Sequence, residues 1–161
     1  MSATVTWRKC HVYYNYVDLF GNVSEGSVEV KRKFADHKGI GMPADVKLPT
    51  GKFEPIVAKM KLNNISPAIL KDIWANDGYC DFRMVGECKV VHASRGMVDN
   101  DQLITTVRGY AENLPVPGVK EDASDIEVTI NALFLEVKSY YSGTILMIDI
   151  PNGLVEPREL G

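Results

Sequence analysis

"IEVTINALFLEVKSY", Ile126 to Tyr140, runs about fifteen residues without a glycine or proline, which at roughly 3.3 Å per residue predicts a strand of ~50 Å against a usual ~17–20 Å. Its first half alternates Ile126, Val128 and Ile130 with Glu127, Thr129 and Asn131, so one face should enter a core and the other should meet solvent. From Leu133 to Val137 the residues are apolar on both faces, and that half is expected to be buried on both sides. "YYSG" (140–143) reads as a turn, "TILMIDI" (144–150) as the returning hairpin strand ended by Pro151, and residues 151–161 as an exposed tail.

Working outward, "FEPIVAKMKLN" (53–63) sets Ile56, Ala58, Met60 and Leu62 against Val57, Lys59, Lys61 and Asn63, a strand with one wet face. "SVEVKRKF" (27–34) places Val28, Val30 and Phe34 opposite Glu29, Lys31 and Lys33, interrupted by Arg32. "YCDFRMVGECKVV" (79–91) sets Phe82, Met84, Cys88 and Val90 against Arg83, Glu87 and Lys89, with Gly86 as a candidate bulge. "HASRGMVDNDQ" (92–102) reads as a turn region and "LITTVRGYAE" (103–112) as the next strand. One helix is predicted in "ISPAILKDIWANDG" (65–78). Ser66 caps it, Pro67 takes its first position, Ile69, Leu70, Ile73 and Trp74 form a core-facing stripe, and Asn76-Asp77-Gly78 stops it. "NLPVPGVKEDASD" (113–125) is a loop rich in proline, glycine and acid.

"ADHKGIGMPADVKLPTGK" (35–52) also reads as a loop, broken by Gly39, Gly41, Gly51, Pro43 and Pro49. Connections usually run roughly 4–6 residues, and structureless ones beyond ~12–15 tend to be functional. A loop of this length calls for a partner.

The 161 residues fit a single domain, 1–161, able to bury a core without disulfide or metal staples. With 45% hydrophobic and 24% charged residues the composition is that of a folded globular protein. Neither a signal peptide nor a membrane span is predicted. The three cysteines form no CxxC pair, and His11, His37 and His92 lack metal-ligand spacing, so no metal and no cofactor is expected. "KGIGM" has no Walker lysine-serine and no following helix, and GxSxG is absent, which points away from an enzyme. A net charge of −3 argues against a dedicated nucleic-acid binder despite Tyr13, Tyr14, Tyr16 and Lys31-Arg32-Lys33. The charge is split: residues 1–61 hold 10 Lys/Arg against 6 Asp/Glu, and residues 62–161 hold 8 against 15. Such asymmetry lets one part of a subunit attract another part of its neighbour.

Long strands, one helix and two large loops remain. One chain of this size cannot close a wide barrel, whereas several subunits sharing one wall would close it and remove the exposed sheet edges. The expected fold is mainly β, an antiparallel sandwich or barrel-like subunit with one short helix and long loops.

The order of "SVEVKRKFADHKGIGMPADVKLPTG", "AKMKLNNISPAILKDIWANDG", "LITTVRGYAE", the acidic linker and "DIEVTINALFLEVKSYYSGTILMIDIPNGL" resembles the major tail tube protein of contractile-tailed bacteriophages, over roughly Val12 to Leu154. The resemblance implies a virion protein assembled in the host bacterial cytoplasm. Six subunits pool hairpins into a β-barrel ring, and rings stack into a tube that DNA and the tape-measure protein occupy inside a contractile sheath. Tail initiator (baseplate) and terminator proteins are the further implied partners. The loop 36–52 would then lie against a neighbouring subunit or ring, through Asp36, His37, Lys38, Gly39, Ile40, Gly41, Met42, Pro43, Val46 and Leu48.

Candidate lumen residues on that reading are Glu127, Thr129, Asn131, Lys59, Lys61, Arg83, Glu87, Lys89 and Arg108. Their basic excess departs from a lumen over which DNA slides, so some of them would pair between subunits or face the sheath. Two other readings stand beside this one. The first is the tube of a phage-tail-like bacteriocin or of a type VI secretion apparatus. The second is a small monomeric β-domain that binds or catalyses.

Overall fold

The computed structural model describes residues 3–15, 17–18, 23–63, 67–92, 97–113 and 125–157. In chain order they form β1 (Ala3–Tyr14), β2 (Val17–Asp18), β3 (Val23–Glu29), β4 (Arg32–His37), β5 (Val46–Phe53), β6 (Val57–Asn63), α1 (Pro67–Ala75), β7 (Tyr79–His92), β8 (Met97–Ala111), β9 (Asp125–Ser139), β10 (Gly143–Asp149) and β11 (Leu154–Glu156). The sheets are antiparallel. Nine strands make one open sheet in the order β11-β10-β9-β8-β7-β1-β2, with β6 added to β9 and β3 to β6, while β4 and β5 stand apart as a two-stranded ribbon.

Strand β9 organises the fold. One edge pairs with β8, and the other is divided between β6 along Asp125–Asn131 and β10 along Phe134–Ser139. The predicted alternation holds in the first half: Ile126, Val128, Ile130 and Ala132 are buried, while Glu127 and Asn131 are exposed.

The expectation of double burial from Leu133 to Val137 is corrected. Only Leu135 is fully buried there, with Leu133, Phe134 and Val137 half-buried. The cause is a shift of phase. Arg108 pairs with Phe134 but Gly109 pairs with Ala132, so Leu133 is an extra residue that swaps the inward positions from even to odd numbers. The run that looks apolar on both faces is two one-faced strands joined out of register.

The core gathers Met60 and Leu62 from β6, Phe82 from β7, Val107 from β8, Val128 and Leu135 from β9, and Ile148 from β10. Each such side chain contributes about 1.5–3 kcal/mol by leaving water. The sheet curls over this core, bringing β3 against β7, where a Cβ added at Gly26 would lie 3.0 Å from Met84 Sδ.

Helix α1 closes the core with Ile73, and the Tyr14 hydroxyl ties it to β1 by donating to Asp72 Oδ2 at 2.8 Å. The helix ends as predicted, with Asp77 and Gly78 at φ 58° and 80° and the Gly78 N–H donating to the Ile73 carbonyl at 2.8 Å. Trp74 corrects the predicted stripe: it lies beyond the buried arc and is 48% exposed. Ser66, linker residues 114–124 and tail residues 158–161 lie outside the described residues.

Other boundaries move as well. The segment 27–34 is two strands, broken at Val30 and Lys31, and Phe34 is exposed on the second. Gly86 keeps an unbroken register with β8; the bulge is in β1, where Lys9 and Cys10 together face it. Strand β1 and the short β11 were not predicted, and β8 begins at Met97 inside the predicted turn region.

Candidate assembly surfaces

The segment 36–52 is not a loop but a β-ribbon. Register runs from Arg32↔Phe53 to His37↔Val46, with a Glu54 N–H to Lys31 C=O bond of 2.9 Å at its base. Gly41 and Gly51 adopt positive φ (84° and 79°), the first in the turn and the second beside a kink held by Thr50 Oγ1 donating to the Lys33 carbonyl at 3.1 Å. Of the predicted contact residues, Asp36 and His37 end β4, Val46 and Leu48 begin β5, and Lys38, Gly39, Ile40, Gly41, Met42 and Pro43 lie in the turn region between them.

Pairing puts Ala35 opposite Leu48 and His37 opposite Val46 on one face, and Asp36 opposite Lys47 on the other. Neither face is covered. Phe34, Ile40, Val46 and Leu48 are all exposed, and the Lys38–Asp45 ion pair is long, at 3.9 Å, and exposed. A lone two-stranded ribbon is marginal in water, and an exposed pair of this kind adds little. The ribbon thus carries exposed apolar side chains with little covering it within the chain.

The candidate lumen residues divide between two surfaces. Lys59 and Lys61 on β6 stand directly across from Thr129 and Glu127 on β9, and Lys59, Lys61, Glu127 and Ser27 line a hollow of about 210 Å³. Asn131 continues this row opposite Val57. Asn113 extends the β8 edge by its side chain: its amide donates to the Glu127 carbonyl at 2.9 Å and its oxygen accepts from the Thr129 N–H at 3.0 Å.

Arg83, Glu87 and Arg108 lie on β7 and β8 instead, away from that row. Arg108 is engaged within the subunit, bonded to Asp81 at 3.2 Å and stacked over Phe134 with 5.1 Å to the ring centre. Arg83 borders a separate hollow of about 330 Å³ with Tyr13, Asp81 and Gln102. Lys89 pairs with Asn100 through the backbone.

At the β9–β10 turn, Tyr140 and Tyr141 project as an edge-to-face pair with ring centres 5.1 Å apart, both strongly exposed. Asp101 fixes this tip. Its carboxylate accepts from Ser139 Oγ at 2.6 Å, and this bond, aided by the Gln102, Tyr141 and Tyr140 amides, holds its pKa below the usual carboxylate value. Asp101 escaped the sequence reading because its partner is 38 residues away.

Among the described residues no group of three His, Cys, Asp or Glu is placed to hold a metal, and no helix is long and apolar enough to cross a membrane. The Cys80 thiol is buried, and burial together with Asp72 pushes its pKa up to about 12, the opposite of a reactive cysteine.

The described residues thus form an antiparallel β protein with one helix, and four of its exposed large apolar side chains stand on the β4–β5 ribbon. The model of the phage tail tube protein FII family matches residues 6–155, and the chain belongs to that family. The family is structural and non-enzymatic, so this is a virion component with a tail-tube role, acting within a tail among other tail proteins. A search of curated proteins gives no match. Among solved structures, a chain of the cryo-EM structure of the anti-feeding prophage (AFP) baseplate, 6-fold symmetrised, is similar at 12% identity. It covers 93% of this chain and 95% of that one, with a TM-score of 0.40.

Proposed function

We propose that six copies of this chain close into a ring and that rings stack into the inner tube of a contractile phage tail, the conduit for DNA at ejection. The observation that carries this reading is the exposed ribbon β4–β5, with four large apolar side chains in solvent and no core of its own. Sheet edges support it. On the side of β1 away from β7, the described residues pair only Tyr13 and Tyr14, with β2, and β3 has β6 on one side. Strand addition between copies would satisfy these edges and convert an open curled sheet into a closed wall.

In this arrangement the row Lys59, Lys61, Glu127, Thr129 and Asn131 lines the lumen, because its reverse face is the subunit's own core. Arg108, neutralised by Asp81, is set aside from the lumen set. The tape-measure protein fills the tube before DNA, the sheath surrounds it, and initiator and terminator proteins bound it. The test is to remove Gly39–Pro49 and image the product. The subunit should stay folded, since the core residues lie outside this segment, and tubes should be lost. Tubes of normal length from the deleted chain would defeat the role given to the ribbon.

A further inference from the structure

We propose that the end of the β7–β8 pair, where Asp77, Tyr79, Tyr110 and Glu112 stand exposed together, is the surface that receives the β4–β5 ribbon of a second copy of this chain. The proposal rests on the tube reading above and specifies which two surfaces meet.

Tyr79 and Tyr110 are cross-strand partners whose rings pack edge to face at 5.5 Å while both remain exposed. Two residues beyond each in sequence come Asp77, in the turn that ends α1, and Glu112, just past β8, and the Ala111 N–H donates to the Gly78 carbonyl at 2.7 Å to hold the two chain segments together. Both acids are exposed, and neither has an ion-pair partner among the described residues. Exposed tyrosine rings flanked by carboxylates attract lysine and arginine, by ring quadrupole and by charge.

The occupant is identified by complementarity. From Arg32 to Phe53 the ribbon holds five Lys/Arg against two Asp/Glu on a thin, largely solvent-exposed element. Its turn presents Ile40, fully exposed, and its flank presents Val46 and Leu48. Basic and apolar groups on one element thus match acidic and aromatic groups on another. Because the two surfaces differ, the contact is head-to-tail, and it propagates from copy to copy instead of closing on a pair.

The test uses the full chain and a charge exchange. Asp77 sits at φ 58°, where asparagine substitutes with little strain, so the acidic surface is changed by Asp77→Asn with Glu112→Lys. The ribbon is changed by Lys38→Glu with Lys47→Glu. Each double variant should keep the circular dichroism of the wild type and raise the protein concentration needed for tube formation by about tenfold or more at low salt. Combining all four substitutions should restore most of the loss, and the wild-type threshold should rise with salt. Milder neutral changes, Asp77→Asn with Glu112→Gln, should give a smaller rise with weaker salt dependence. Should Glu112→Lys disturb folding, this pair carries the test.

If wild-type chain forms no tubes at all, the tube reading itself fails. If wild type forms tubes and the acidic-surface variant does so at the same threshold, only the docking proposal fails. It also fails if the combined variant shows no recovery, or if the acidic-surface variant forms tubes normally but no longer binds another tail protein.

Discussion

Gly109 on β8 lies so close to Asn131 on β9 that a Cβ there would overlap the Asn131 carbonyl oxygen and come within 2.8 Å of Ala132 Cα. The contact falls at the bulge where β9 changes phase, so the absence of a side chain at 109 is what lets one strand serve two halves of the sheet. Gly109→Ala should lower stability by about 3 kcal/mol, since backbone rather than a flexible side chain must move. Urea denaturation would read this as a lower midpoint with an unchanged slope.

The same bulge explains how much of the fold was legible. Ile126, Val128, Ile130 and the β6 row Ala58, Met60 and Leu62 keep strict alternation, and their burial follows from spacing alone. Leu133 breaks the period by one, so the residues after it look two-faced although each half has a single inward face. Strand β1 hides for the same reason. Val5 and Trp7 are out of phase with Val12 and Tyr14, with the Lys9–Cys10 bulge between them. Gly39, Gly41, Pro43 and Pro49 made 36–52 read as a loop, although glycine in the turn and proline in a lone ribbon are compatible with pairing. Trp74, Tyr79 and Tyr110 were unreadable as surface residues, because an aromatic at core-like spacing gives no sign of what covers it.

On the proposed reading the ribbon serves assembly rather than folding. Val46→Ser with Leu48→Ser removes exposed apolar contacts, so subunit stability should change by no more than about 0.5 kcal/mol. Tube formation should nevertheless be lost. Thermal melting and negative-stain microscopy on the same preparation check both outcomes.

Tyr14 ties β1 to the helix through Asp72. Tyr14→Phe keeps the ring against Phe82 but leaves a partly buried carboxylate short of one donor, at a cost of about 1.5–3 kcal/mol near neutral pH. Burial, then Asp72, raise the folded pKa of Tyr14 above that of a free tyrosine. Its contribution is therefore complete below the free-tyrosine value of about 10 and is lost as pH climbs above it. The stability gap between wild type and Tyr14→Phe should narrow in alkali.

Asp101 works with the opposite sign. Its folded pKa is depressed, first by the Ser139 hydroxyl, so its contribution is present above the ordinary carboxylate value of about 4 and disappears as pH falls through the lowered one. Asp101→Asn should melt at a lower temperature than wild type at pH 7, and the two curves should converge in strong acid. A gap that persists unchanged to the lowest pH would contradict the Ser139 contact.

Glu127 sits among Ser27, Lys59 and Lys61 on the row assigned to the lumen. If the proposed ring and lumen hold, Glu127→Lys adds positive charge at each subunit, and DNA sliding past should be slowed by phosphate attraction, most at low salt, with tube length unchanged. Ejection kinetics from assembled particles measure it. Normal ejection at low salt would place Glu127 elsewhere than the lumen, and blocked assembly would place it in a subunit contact.

Electron microscopy of the purified chain at rising concentration, with and without a tail initiator complex, is the most direct measurement of tube formation. Six-membered rings stacked into tubes, unaffected by a metal chelator, are the predicted result. A protein that stays monomeric at high concentration and in the presence of the initiator would contradict it.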